Sequence, residues 1–190
     1  FRSTLRDKGE AAMADELEHL ASVMRNHVER ELALARIAAS ADLRRSDADV
    51  AMIVGELVRI LKRSPSGERL RFEIDGPNTE TVPMDPADFR ELIGNLLENA
   101  VKWATAEIRV RWKRNEDGLR LTISDDGPGV PEQELGNLTR RGWRLDMASP
   151  GSGLGLSIVR EIVDVYRIGF MLRNRKADSG LEAELLFAHT

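Results

Sequence analysis

Three glycines at alternate positions, Gly151, Gly153 and Gly155, stand directly before an apolar run that begins at Leu156. Glycine reaches backbone torsions closed to other residues and lets a ligand approach the main chain. Beyond them Leu156, Ile158, Val159, Ile162, Val163 and Tyr166 recur at helical spacing, with Arg160, Glu161 and Asp164 mainly on the other side. A helix that opens on such a turn aims unpaired N–H groups and the positive end of its dipole at whatever sits there. Phosphates are natural occupants. Taken alone, the run fits equally well a helix start that holds no ligand. Two familiar phosphate loops are excluded. A G-x-G-x-x-G pattern fails because position 156 is Leu, and Arg141 to Pro150 is too polar to be a buried strand. A Walker loop fails because no Gly-Lys-Ser/Thr occurs.

A second group lies upstream, on the periodic run that starts at Asp85-Pro86. Asn95, Asn99 and Lys102 are spaced by four and then three, so they share one face of a helix. Amides beside a core stripe are unusual, because a buried unpaired amide costs about 1–3 kcal/mol. A solvated pair at the helix surface is one reading. The other is an oxygen for Mg²⁺, a hard cation that favours oxygen ligands and phosphates, beside a lysine for phosphate charge. Between the two groups lies Asp125-Asp-Gly-Pro-Gly at a strand end. As a bare pattern it is a simple Asp-Gly turn. An ionised carboxylate only accepts hydrogen bonds, so it would take the exocyclic amine of adenine but oppose the carbonyl of guanine. Gly127 and Gly129 would let the chain turn beneath such a base.

The elements that must position these residues follow from periodicity. Asp49 or Asp47 caps a helix through about Lys62, burying Val50, Ile53, Val54, Leu57, Ile60 and Leu61. Leu70–Ile74 and Thr81–Met84 alternate as strands. Pro86 at a first helical position opens a helix to about Ala104, burying Phe89, Leu92, Ile93, Leu96, Leu97 and Val101. Two strands, 107–113 and 119–124, flank the turn Asn115-Glu-Asp-Gly. The glycine-led helix is followed by strands near 170–173 and 181–187. The hairpin implies a mixed sheet, and the alternation an α+β sandwich with its helices on one face.

The N-terminal part differs. From Glu10 to Ser40 there is no Gly or Pro, and Met13, Leu17, Leu20, Met24, Val28, Leu32 and Ala35 alternate by threes and fours. Such a coiled-coil-like stripe needs a partner helix, most simply from another copy of the chain. A composition shift at 41–49 marks a boundary, giving a helical unit at 1–42 and a second domain at 43–190. His19 and His27 flank the stripe and read as surface groups.

Composition narrows the function classes. The formal net charge of −4 and the lack of a basic run argue against a nucleic-acid partner. With no cysteine, disulfides, zinc–thiolate sites and cysteine nucleophiles are excluded. No apolar run approaches the ~20 residues of a membrane span, and no signal-peptide pattern is present.

The three boxes in this order are specific where each alone is not. The sequence resembles the catalytic ATP-binding domain of bacterial sensor histidine kinases over about residues 45–190. Asn95-Leu-Leu-Glu-Asn-Ala-Val-Lys-Trp is similar to the N box, Asp125-Asp-Gly-Pro-Gly-Val to the first glycine box, and Gly151-Ser-Gly-Leu-Gly-Leu to the second. The stripe at 10–40 resembles the second helix of the dimerisation and phosphotransfer hairpin. Arg141-Gly-Trp-Arg-Leu-Asp and a short lid resemble the PhoQ-like branch.

The resemblance implies a Bergerat-type sandwich, a mixed sheet covered on one face by helices and preceded by a helical dimerisation segment. It implies ATP and Mg²⁺ as ligands. Asn99 would hold the metal, Asn95 support the phosphate site, and Lys102 and Arg144 touch phosphates. Trp103 would lie near the nucleotide and Asp125 would bind the adenine amine, with Gly127 and Gly129 in its loop. Gly151, Gly153, Leu154, Gly155 and Leu156 would edge the triphosphate under a lid at roughly 131–150. The implied activity is phosphorylation of a histidine, with onward transfer to a response-regulator aspartate. The implied partners are a second copy of the chain and a receiver domain. The implied location is cytoplasmic, with the full-length protein anchored in the bacterial inner membrane through upstream segments. No acceptor histidine box occurs here, so the acceptor is expected upstream of Phe1, and the chain is read as a fragment. Two departures stand out. Asn137-Leu-Thr-Arg-Arg replaces a box in which relatives often carry Phe, and Tyr166-Arg-Ile-Gly stands where the family often has Gly-Gly.

Two other readings remain. One is an ATP hydrolase of the related gyrase, Hsp90 and MutL group. Such enzymes need a carboxylate one helical turn before the metal-binding Asn, and here that position is Asn95, a poor base. The other is a phosphotransfer or scaffold protein without catalysis, against which the intact boxes weigh.

Overall fold

The computed structural model describes residues 47–139, 155–175 and 179–188. The expected dimerisation stripe, the boundary at 42/43, the later part of the lid with Arg144, and Gly151, Gly153 and Leu154 lie outside the described residues.

The first two helices start where an aspartate cap dictates. Asp49 ends the two-residue strand β1 (Ala48–Asp49), and its carboxylate accepts the N–H of Met52 at 2.8 Å, opening α1 (Val50–Leu61). Val50, Ile53, Val54 and Val58 form its buried face. Ile60, expected in the core, is instead 59% exposed. It lies at the edge of the apolar stripe in the last turn, and Val58 occupies the opposite edge inside. Asp85 caps α2 (Pro86–Trp103) by accepting from Ala87 N at 2.8 Å, with proline at the start, where a missing N–H costs nothing. All six residues expected in the core of α2 are buried.

The main sheet has the order β2-β4-β5-β7-β6, built from β2 (Arg71–Asp75), β4 (Glu107–Asn115), β5 (Gly118–Asp125), β6 (Gly169–Asn174) and β7 (Leu181–Ala188). β2 and β4 are parallel, which requires the crossover through α2, and the remaining pairs are antiparallel. The sheet is therefore mixed. The strand expected at 81–84 is only β3 (Thr81–Val82), and it pairs with β1 rather than with the main sheet. Pro83 has no N–H to extend the ladder.

Alternation along the strands gives the sheet two unlike faces. Ile108, Val110, Leu119, Leu121, Ile123, Leu185 and Phe187 join Phe89, Leu92 and Val159 of the helices in one core. Phe89 and Phe187 meet with ring centroids 5.9 Å apart. The other face carries ion pairs, with Glu107 between Arg71 and Arg109 and Glu184 between Arg120 and Arg173. The result is an α+β sandwich.

The glycine-led helix is α3 (Gly155–Tyr166), with Val159 and Val163 buried. It stops by a Schellman-type closure in which Ile168 N donates to Val163 O at 2.9 Å. The left-handed residue this closure requires is Arg167, at φ 54. The helix thus ends where glycine ordinarily sits, with arginine accepting the strain.

Candidate functional site

α3 lies antiparallel along α2. At one end, a Cβ on Gly155 would stand 3.1 Å from Asn95 Oδ1. At the other, Tyr166 donates its hydroxyl to Asp88 Oδ2, at 2.5 Å, in the first turn of α2. The start of α3 is thereby set beside the asparagine face of α2. Asn95 is half-buried and donates through Nδ2 to Glu91 O at 2.8 Å, one turn back. Lys102 is exposed, with Nζ 5.0 Å from the centroid of the Trp103 ring, a cation–π contact.

Below the helices lies a small cavity. Leu96, Asn99 and Ala100 of α2 form one wall, and Leu156 of α3 and Leu172 of β6 another. Ile123 and Asp125 of β5 and Leu181 and Ala183 of β7 form the floor. The enclosed space is about 10 Å³, the size of one water, within a concavity of about 230 Å³. A flat base enters only if the leucine walls part.

The two adjacent carboxylates at this end of β5 are used differently. Asp125 is buried, and its Oδ1 accepts Gly127 N at 2.9 Å and Leu181 N at 3.3 Å. Burial pushes its carboxyl above the ordinary value, against the opposing effect of those two N–H bonds. Asp126 points elsewhere, taking Thr105 N at 2.8 Å and Ala106 N at 3.0 Å with Oδ1. Burial also opposes its ionisation, yet bonds from the backbone of Ala106, Glu107 and Thr105 outweigh it and hold the carboxyl below the ordinary value. Gly127 is obligatory by contact, since a Cβ there would lie 2.4 Å from Trp103 O.

With its leucine walls parted, an aliphatic slot holding one buried carboxylate and one amide would suit a flat ring that carries an N–H donor. The profile described as "Histidine kinase-, DNA gyrase B-, and HSP90-like ATPase" matches residues 84–186, more than half of the 190. The chain belongs to this family. It is 35% identical over 168 residues to the sensor protein kinase CarS of Pseudomonas aeruginosa, an alignment covering 85% of this chain and 37% of CarS. To the two-component sensor PhoQ of the same organism it is 33% identical over 62% of this chain and 26% of PhoQ. The chain thus spans roughly a third of the length of these curated relatives. Among solved structures, the mycobacterial sensor histidine kinase MprB superposes with a TM-score of 0.68 at 25% identity, over 76% of this chain and 97% of that one.

This is the ATPase-type domain of sensor histidine kinases, and the residues expected at its site divide by location. Asn99, Asp125 and Leu156 meet at the cavity, Asn95 and Gly155 meet above it, and Gly127 and Gly129 form the loop beside it. Lys102 and Trp103 are the last two residues of α2 and do not line the cavity. The sequence reading missed the apolar lining, Leu96, Ile123, Leu172, Leu181 and Ala183, because ligand-slot leucines follow the same periodicity as core leucines. Asn174 and Arg175, which bond to the loop at 125–130, have no motif in the sequence to mark them. Among the described residues no helix is long and apolar enough to cross a membrane.

Proposed function

We propose that the chain is the catalytic region of a sensor histidine kinase, which binds Mg²⁺–ATP and phosphorylates a histidine on a dimerisation helix. What supports the reading is that Asn99 and Asp125, from different elements and 26 positions apart in sequence, line one cavity. Asp125 accepts the amine of adenine between leucine walls, and its charge opposes the carbonyl of guanine. Asn99 offers an oxygen to Mg²⁺, which when bound neutralises phosphate charge. Asn95 supports the phosphate side, Lys102 and Arg144 meet the phosphates, and the glycines of 151–155 let the triphosphate lie against the backbone. The γ-phosphoryl then passes to an imidazole nitrogen with ADP leaving, a reaction governed by positioning and charge stabilisation. Onward transfer to a response-regulator aspartate, and homodimer formation through residues 1–42, complete the assignment, with residues 43–190 as the ATP-binding domain.

Hydrolysis of the gyrase and Hsp90 type is the weaker reading. One turn before Asn99 stands Asn95, whose amide donates to Glu91 O and cannot usefully take a proton from water.

Calorimetric titration tests the binding half: ATP should bind in a Mg²⁺-dependent manner, with GTP at least about tenfold weaker. Equal affinities would overturn the base assignment. For transfer, γ-labelled ATP should label a supplied hairpin that carries the acceptor and leave this chain unlabelled. Acid-labile label on the chain itself, lost in His19→Ala or His27→Ala, would overturn the placement of the acceptor.

A further inference from the structure

The loop that carries Asp125 is gripped from outside. Asn174, the last residue of β6, spends both ends of its amide on one residue: Val130 N donates to Asn174 Oδ1 at 2.9 Å, and Asn174 Nδ2 donates to Val130 O at 2.6 Å. This is a strand-like pairing made by a side chain. Arg175 then donates from its guanidinium to Asp125 O at 3.0 Å. Its own N–H goes to Gly180 O at 3.0 Å, while Leu181 N reaches the Asp125 carboxylate. The ends of β6 and β7 therefore hold both the first and the last residue of the segment Asp125–Val130.

The fit leaves no slack. Gly129 is left-handed at φ 72, and a Cβ there would lie 2.8 Å from Asn174 Oδ1. Gly180, at φ 123, would place a Cβ 2.0 Å from Asp125 O. Glycine occurs at these two points because the clamp and the loop touch backbone to backbone or through the Asn174 amide.

A carboxylate discriminates an amine from a carbonyl only if its oxygens are held in place. A loop free to turn would let Asp125 retreat from a carbonyl at little cost. Glycines at 127 and 129 make this loop intrinsically free, so rigidity must come from elsewhere. We propose that Asn174 and Arg175 are positioning residues for base recognition, holding Asp125 so that it selects a 6-amino purine. The proposal rests on Asp125 reading the base.

The test measures ATP and GTP affinities separately, by competition, in Asn174→Ala, Arg175→Met and Arg175→Lys. Asn174→Ala and Arg175→Met should each lower ATP affinity and raise GTP affinity, so that the ratio between the two falls about tenfold. Arg175→Lys, whose ammonium still donates to a carbonyl, should recover most of it. Equal weakening of both nucleotides, or an unchanged preference in folded variants, overturns the clamp. Should Asn174→Ala fail to fold, the Arg175 pair decides. Absence of any ATP preference in the unmutated chain is a different result: it removes the base reading and the clamp with it.

Discussion

Asp125 and Asp126 are consecutive residues whose carboxylates the fold drives in opposite directions. Asp125 faces the cavity and is raised by burial, whereas Asp126 caps the backbone at Thr105 and Ala106 and is lowered. The signs differ in stability too. For a carboxyl raised in the folded state the contribution is complete below its unfolded value, about 3.9, and is lost as pH rises through the folded value. A lowered one stabilises above about 3.9 and is lost as pH falls through its folded value. Asp125→Asn keeps an oxygen for Gly127 and Leu181 while removing a buried charge. Its Tm should therefore rise at neutral pH and converge with the parent below the carboxylate range. Asp126→Ala should lose about 1–2 kcal/mol, most fully above that range. Thermal melts from acid to neutral pH check both; a lower Tm for Asp125→Asn at neutral pH would contradict the burial argument.

Tyr166 ties the end of α3 to buried Asp88 at the start of α2, and it is the only tyrosine in the chain. Burial, and then its bond to Asp88, push the phenol above its ordinary value of 10.0. Ultraviolet titration should show no phenolate until the protein unfolds at alkaline pH. The sign follows from the raised value: the stabilisation is complete below about 10 and drains away above it. Tyr166→Phe should cost about 1–2 kcal/mol, because Asp88 stays buried without this donor. Ionisation of the native tyrosine near pH 10, as in a free side chain, would contradict the bond.

The fold was readable where period and caps agree, and less so where tertiary partners decide. Asp49 and Asp85 announced their helices, and the hairpin at Asn115–Gly118 implied a mixed sheet. Ile60 and the short β3 were misjudged because exposure at a stripe edge and the choice of strand partner depend on what else is nearby. The polar half of the proposed site drew notice in the sequence because Asn99 and Asp125 are chemically out of place beside core residues, and the fold brings both to one cavity. Leu156 and Leu172 illustrate the opposite case: slot and core use the same side chains. Asn174 could not be found at all, since its role exists only in the pairing with Val130.

Arg167 supplies the left-handed residue that closes α3, at φ 54. For a residue with a Cβ this conformation costs about 1–2 kcal/mol, and glycine avoids it. Part of the gain from glycine is returned as added freedom of the unfolded chain. Arg167→Gly should therefore stabilise by up to about 1 kcal/mol and raise the denaturation midpoint without altering the slope. A lower midpoint would mean that the arginine side chain contributes more than its backbone costs.

Removal of the metal offers the most direct check on Asn99. This residue is half-buried on a wall of the cavity whose floor includes Asp125, one helical turn beyond Asn95. If its side-chain oxygen serves Mg²⁺, chelation by EDTA should weaken ATP binding in the parent. Asn99→Ala should then bind Mg²⁺–ATP about tenfold more weakly, a loss of about 1.4 kcal/mol, and show little further loss on chelation. Because Asn99 is only partly buried, the substitution should leave folding stability within about 0.5 kcal/mol of the parent, typical of changes outside the core. The ratio of affinities with and without Mg²⁺ therefore separates a metal ligand from a residue that merely fills the wall. An unchanged ratio in a folded Asn99→Ala would move the metal away from this helix.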